Sequence, residues 1–232
     1  MRRLQLRTCA QMMDNVPRVG DPRVPIYLLA DVARYIRLHP STAWRWTRWI
    51  PGRDIEDTIG GLSFLDLISL QVMYELRNLG IKTRQIKRAE EYLTERLGIY
   101  PLARYTIWTD RAHIFFDPDS PIRRELPRSA LESADKEGQR AFVELIRVYL
   151  QRVTYNEEGF AIAWSPADRV RLHAARQFGQ PCVEGTRITT SAIYLFHKGG
   201  DTIDYIGDSF EIPIKDVSAA IDWERSLEHL VA

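Results

Sequence analysis

Between Leu28 and Ile50 the apolar residues follow a helical period. Leu29, Val32, Ala33 and Ile36 recur at intervals of three and four, which gathers them on one face of an α-helix. Leu38-His39-Pro40 interrupts the series, and Pro40 suits the first position of a new helix, where a missing N–H costs no hydrogen bond. On that second helix Ala43, Trp46 and Ile50 fall on one side, while Ser41, Trp44, Arg45 and Arg48 fall on another. The pattern predicts two short helices joined by a tight turn. A packing side and a basic side on the second are the sequence form of a helix-turn-helix, whose second helix enters the major groove of DNA.

The flanking chain is read in the same way. Residues 1–23 carry Pro17, Gly20 and Pro22 with few periodic apolar positions, so a flexible arm, or one tied down by a partner, is expected. Ile55 and Ile59 flank acidic residues before Gly60-Gly61, which fits a small hairpin or wing that includes Arg53. Ser63 then suits a helix start, with Asp66 at the matching position of a capping box and Leu62 and Leu67 as a hydrophobic staple. That helix runs to Asn78-Leu79-Gly80. A further one, Thr83 to Leu97, stacks Ile86, Ala89 and Leu93, and its charges at Lys82, Arg84, Lys87 and Arg88 read as a solvated face or as DNA-backbone contacts.

Beyond residue 100 the pattern is mixed. A hairpin around Thr109-Asp110-Arg111, a helix from Gln139 to Leu150 and a second hairpin around Asn156-Glu157-Glu158-Gly159 are expected. After Ser165-Pro166, Val170, Leu172 and Ala174 alternate as in a strand. Three short helices follow, over about 191–198, from about 202, and after Pro213. The expected fold class is α+β, mainly α. The expected divisions are an arm (1–23), a winged helix-turn-helix (24–99), a central α/β linker or dimerisation region with small β-hairpins (100–165) and a C-terminal trihelical, helix-turn-helix-like domain (166–232).

Charge sharpens this division. The chain's net charge is +1, yet residues 1–111 hold 18 Lys and Arg against 12 Asp and Glu, a net +6, whereas residues 112–232 hold 14 against 19, a net −5. A basic half fits phosphate and an acidic half fits another partner, although two solvated surfaces with a chance imbalance give the same totals. Cys9 and Cys182 are far apart and form no CxxC or Cys/His cluster. Neither a signal sequence nor a run long enough to span a membrane is present, so a cytoplasmic protein without membrane contact is expected.

Chemistry is sparse. No GxSxG, GxxxxGK[ST], HExxH or GxGxxG occurs, and the five histidines are isolated. No catalytic residue, metal site or cofactor is expected. The DNA-binding candidates are Ser41, Thr42, Trp44, Arg45, Arg48 and Arg53: Arg45 or Arg48 for guanine edges, Ser41 and Thr42 at the helix start for phosphate or base contacts. Trp46 and Trp49 read as core. One short recognition helix covers few base pairs, so a homodimer on a palindromic operator is expected.

Two resemblances add to this. HPSTAWRW at residues 39–46, together with LRNLGIKTRQIKRA at residues 76–89, resembles the winged-helix domain of MerR-type regulators. The long coiled coil that usually follows in that family is missing. Phe178-Gly179-Gln180-Pro181, Gly185-Thr186-Arg187-Ile188, Gly200 and the closing DVSAAIDWE resemble the domain-of-unknown-function 433 family, with Thr189 where the family commonly has Pro. Longer members of that family carry a similar helix-turn-helix. The resemblance implies a VapB-type antitoxin that neutralises a PIN-like ribonuclease toxin and represses its own operon. It points to Glu184 and Arg187 as partner-binding residues, Arg187 facing an acidic site on the toxin or, alternatively, simply holding Glu184 or a loop carbonyl. Gly179 and Gly185 are expected where the backbone turns with φ above zero or meets another segment closely. The alternative function is a stand-alone MerR-like regulator responding to a small molecule, and a weaker one is a scaffold that binds no DNA.

Overall fold

The computed structural model describes residues 20–50, 61–78, 82–104 and 152–228. Within them lie seven α-helices and two small antiparallel sheets, an α+β fold dominated by helix. Strand β1 (Pro25–Tyr27) leads into α1 (Leu29–Tyr35) and α2 (Pro40–Thr47), and pairs with β2 (Leu62–Ser63) at the start of α3 (Phe64–Asn78). The expected cap is present at this start. Ser63 Oγ accepts from the Asp66 N–H at 3.1 Å, Asp66 Oδ2 accepts from the Ser63 N–H at 2.6 Å, and Leu62 and Leu67 are fully buried.

Helix α3 is apolar nearly all round, with Phe64, Leu65, Leu67, Ile68, Leu70, Val72, Met73 and Leu76 buried. Such a helix has to be central. The helix pair covers one side of it, α4 (Thr83–Leu97) lays Ile86 and Leu93 on another, and a sheet closes the core. That sheet runs β3 (Val153–Tyr155), β4 (Ala161–Ala167), β5 (Val170–His173), β6 (Cys182–Val183), with every neighbour antiparallel. Its first turn is the hairpin read from Asn156 to Gly159: Asn156 Oδ1 accepts from the Phe160 N–H at 2.8 Å, and Gly159 has φ +79°.

Three helices complete the described chain, α5 (Thr190–Gly199), α6 (Ile203–Phe210) and α7 (Ile214–Glu228). Thr189 and Thr202 cap the first two through their hydroxyls, and Gly200 ends α5 at φ +104°. Ile193, Ile206, Val217, Ala220 and Ile221 form their small core together with Val183. The main core, by contrast, runs from Tyr27 to Ala174. The division expected at 165/166 falls inside β4, where Pro166 occupies an irregular register between Trp164 and Ala167, a place that tolerates a missing N–H. The arm up to residue 19, the wing over 51–60 with Arg53, the hairpin near residue 110 and the helix over 139–150 lie outside the described residues.

Candidate functional site

The helix pair turns at Arg37, which takes a left-handed φ of +56°, and Leu38 N–H returns to the Ala33 carbonyl at 2.9 Å. His39 then caps α2 by accepting from the Ser41 N–H through Nδ1. The packing side is the expected one: Val32, Ala33, Ile36, Ala43, Trp46 and Ile50 are buried, and Trp49 stacks on Trp46 at 6.2 Å. On the outer side Ser41, Arg45 and Arg48 are exposed, with Thr42 and Trp44 half-buried between them. Arg45 donates to Thr42 Oγ1 at 3.3 Å, and neither Arg45 nor Arg48 forms an ion pair with a described residue. Guanidinium groups without carboxylate partners remain available for phosphate oxygens or guanine edges.

The back of the pair is covered from the far end of the chain. Arg34 on α1 donates to Glu224 Oε2 on α7, and Thr190 Oγ1 donates to the other oxygen of the same carboxylate, which is buried. Arg37 donates to Ser226 Oγ at 3.0 Å, and Tyr35 packs against the cluster of Val170, Trp223 and Leu227. Beside these, the Tyr27 hydroxyl donates to the Gly179 carbonyl at 2.9 Å. Burial pushes the Tyr27 phenol well above its usual pKa, so it stays a donor. Gly179 has φ +74°, and a Cβ there would fall on the Tyr27 hydroxyl and within 2.8 Å of Ile26 Cδ1. Both meanings read into this glycine hold together, a left-handed turn and a close approach. Gly185, at φ +81° with open space around it, has only the first. Arg34 and Arg37 are thereby occupied, which confines the pair's free cationic surface to α2.

Glu184 and Arg187 are both exposed. Glu184 pairs with Arg171 at 3.3 Å rather than with Arg187. Arg187 contributes its carbonyl to Gln177 Nε2 at 2.7 Å, and its guanidinium has no partner among the described residues. Gln177 sits in the turn marked by Gly179, but the sequence did not signal that Gln177 and Phe178 would be left-handed as well. Gln177, Phe178 and Gly179 are successively left-handed, with φ of +45°, +51° and +74°, and Phe178 is 79% exposed. Each non-glycine residue in that region costs about 1–2 kcal/mol. Among the described residues no group of three or more His, Cys, Asp or Glu is placed to hold a metal ion, and no helix is long and apolar enough to cross a membrane.

The fold has relatives. The model of the family described as "Protein of unknown function (DUF433)" matches residues 171–223, the span from β5 into α7 that carries Gly179, Glu184 and Arg187. Over 231 residues the chain is 22% identical to "Putative antitoxin VapB45" of Mycobacterium tuberculosis, spanning 86% of this chain and 93% of that protein. The crystal structure of Rv2018 from Mycobacterium tuberculosis superposes with a TM-score of 0.66 at 20% identity, over 86% of this chain and 98% of that one. The likeness therefore extends well beyond the family-matched end.

Proposed function

We propose that the chain is the antitoxin of a type II toxin–antitoxin module, without catalytic activity of its own. It binds operator DNA as a homodimer through a MerR-like winged helix-turn-helix. It neutralises a PIN-like ribonuclease toxin through surfaces of its C-terminal end. The observation that carries this reading is the nearly full-length similarity to the mycobacterial protein named as an antitoxin. The helix pair supports the DNA half, because Ser41, Thr42, Trp44, Arg45 and Arg48 share a cationic face that packing of the pair leaves open among the described residues. The acidic end supports the protein half, since residues 166–232 hold 7 Lys and Arg against 10 Asp and Glu. Fluorescence anisotropy with the DNA upstream of the chain's own reading frame tests the first half. Co-expression with a PIN-like nuclease encoded beside it, which this reading requires, tests the second. Failure to bind that DNA, or failure to relieve the growth arrest caused by that nuclease, refutes the corresponding half.

A second reading, a regulator that answers to a small molecule, is favoured by one feature. A cleft of about 340 Å³, within the range of ligand sites, opens between the 20–23 segment and the sheet and is lined by Arg23, Asn156, Glu158, Phe160, Ile162 and His173. Operator affinity that changes with a metabolite, in the absence of any nuclease, would favour it.

A further inference from the structure

The polar side chains that line the cleft between the 20–23 segment and the sheet have their roles fixed by the bonds they make within the fold. His173 Nδ1 accepts from the Ala175 N–H at 3.1 Å, so its proton sits on Nε2 and the ring can only donate to a ligand. Burial, reinforced by the charges of Arg176 and Arg171, lowers its pKa and keeps the ring neutral. Asn156 Oδ1 accepts from the Phe160 N–H at 2.8 Å, which leaves the amide nitrogen as the group it can offer. Arg23 commits Nε and Nη2 to Asp21, at 2.9 and 2.8 Å, and keeps Nη1. The Asp21 carboxylate is spent in the same fork. Three lining side chains thus offer N–H groups, against one uncommitted side-chain acceptor, the exposed Glu158.

Charge and shape point the same way. Asp21 neutralises Arg23 and Glu184 pairs with Arg171, which leaves Arg104 and Arg176 beside Glu158 alone. Arg104 lies 4.1 Å from the centroid of the Phe160 ring, and its buried Nε has no hydrogen-bond partner among the described residues. The rest of the lining includes Pro22, Phe160 and Ile162, an apolar surface. The 20–23 wall is anchored, because the Pro22 carbonyl accepts from the Leu65 N–H at 3.1 Å. A cleft that is preformed, partly apolar and supplied with a few polar groups is the usual form of a small-molecule site. We propose that it binds a small organic carboxylate, whose oxygens accept from the N–H groups of Arg23, Asn156 and His173 and whose apolar body lies against Phe160 and Ile162. The inference rests on the cleft of the second reading and names its class of ligand. The 20–23 segment continues into β1 and α1, so an occupied cleft adjoins the approach to the helix pair.

Isothermal titration calorimetry of the full chain with hexanoate, phenylacetate and succinate, each beside its uncharged amide, tests the proposal. At least one acid is expected to bind with a dissociation constant of about 1 mM or tighter, and its amide about 10-fold more weakly. Ile162→Trp fills the cleft without touching a donor, and His173→Phe keeps a ring while removing Nε2–H. Both positions are partly exposed, and unchanged circular dichroism establishes that each variant folds. Either should weaken the acid about 10-fold. Glu158→Gln, at an exposed side chain, removes a like charge and should tighten it about 3-fold. The proposal is overturned if no acid binds below about 10 mM or if the amides bind equally well. It is also overturned if neither cleft variant weakens binding, or if Glu158→Gln weakens it, as a cationic ligand would require. Operator binding measured with and without the acid separates the site from the reading it serves. Acid bound in the cleft with operator affinity unaltered keeps the site and refutes the small-molecule regulator. Operator bound normally by a chain that takes up no acid overturns the site and leaves the antitoxin reading standing.

Discussion

The helix pair and the C-terminal three-helix unit are built alike and presented oppositely. Each joins short helices through a turn of a few residues, and each starts helices with a side-chain cap, His39 in the first and Thr189 and Thr202 in the second. In the pair the trailing helix shows Ser41, Arg45 and Arg48 to solvent while its partner is covered. In the three-helix unit the trailing helix, α7, is the covered one, with Trp223 and Leu227 against β5 and Tyr35 and with Glu224 bonded to Arg34 and Thr190. What remains open there is Leu195 on α5 and, on α6, Tyr205 with Asp204 and Asp208. A helix-turn-helix outline is therefore insufficient to assign DNA binding. Which helix the rest of the chain buries decides which face can meet a polyanion.

The largest expected effect lies where the two regions meet. Gly179→Ala forces a Cβ onto the Tyr27 hydroxyl at a left-handed position, and a loss of about 3 kcal/mol is expected in denaturant unfolding. Gly185→Ala, with the same sign of φ and open space, should lose only about 1 kcal/mol. Equal losses would mean that the contact between regions contributes nothing beyond backbone strain.

Next comes the surface itself. Arg45→Ala combined with Arg48→Ala should weaken operator binding about 100-fold and flatten its salt dependence, with stability unchanged within about 0.5 kcal/mol. Unaltered affinity would remove α2 from the DNA interface. Glu224→Ala strips the partner from Arg34 and from Thr190. Because Arg34 is partly exposed and can rehydrate, the expected cost is about 2 kcal/mol rather than the larger figure for a fully buried pair. A cost near zero would show that the two regions are held together by Tyr27, Tyr35 and Trp223 alone.

Much of this comparison was legible in the chain. The three- and four-residue spacing from Leu29 to Ile50 places Val32, Ala33, Ile36, Ala43, Trp46 and Ile50 correctly, because a two-sided helix has only one way to hide its apolar stripe. The Ser63–Asp66 cap, the Asn156–Gly159 turn and the three C-terminal helices are equally local in cause. Non-local contacts left no such mark. Arg34 and Glu224 lie 190 residues apart, and nothing periodic links them. For the same reason Ser165-Pro166 read as a division although β4 passes through it, and of the roles open to Arg187 the pairing with Glu184 is taken by Arg171. The exposure of Phe178 was hidden because an aromatic beside a glycine ordinarily signals packing.

The C-terminal unit and α4 differ in how they bury a carboxylate. Glu224 is met by a guanidinium and a hydroxyl, whereas Glu90 on α4 is fully buried and neither of its oxygens has a hydrogen-bond partner among the described residues. Desolvation, with smaller contributions from Glu91 on the same helix and Asp66 on α3, pushes the Glu90 carboxyl up to about 8 from an ordinary value of 4.5. A carboxyl whose pKa is raised by folding is held protonated in the native state at a pH where the unfolded chain has already released the proton. Its favourable state is thus fully present below about pH 4.5 and is lost as pH rises toward 8. Across that window the protein should become less stable with rising pH, by at most about 1.4 kcal/mol per pH unit from this group. Glu90→Gln, which keeps the shape and cannot ionise, should flatten that slope and leave the stability at pH 5 nearly unchanged. An identical slope in the two proteins would move the titration to another group and leave Glu90 ionised inside the core, a state that only a partner charge beyond the described residues would sustain.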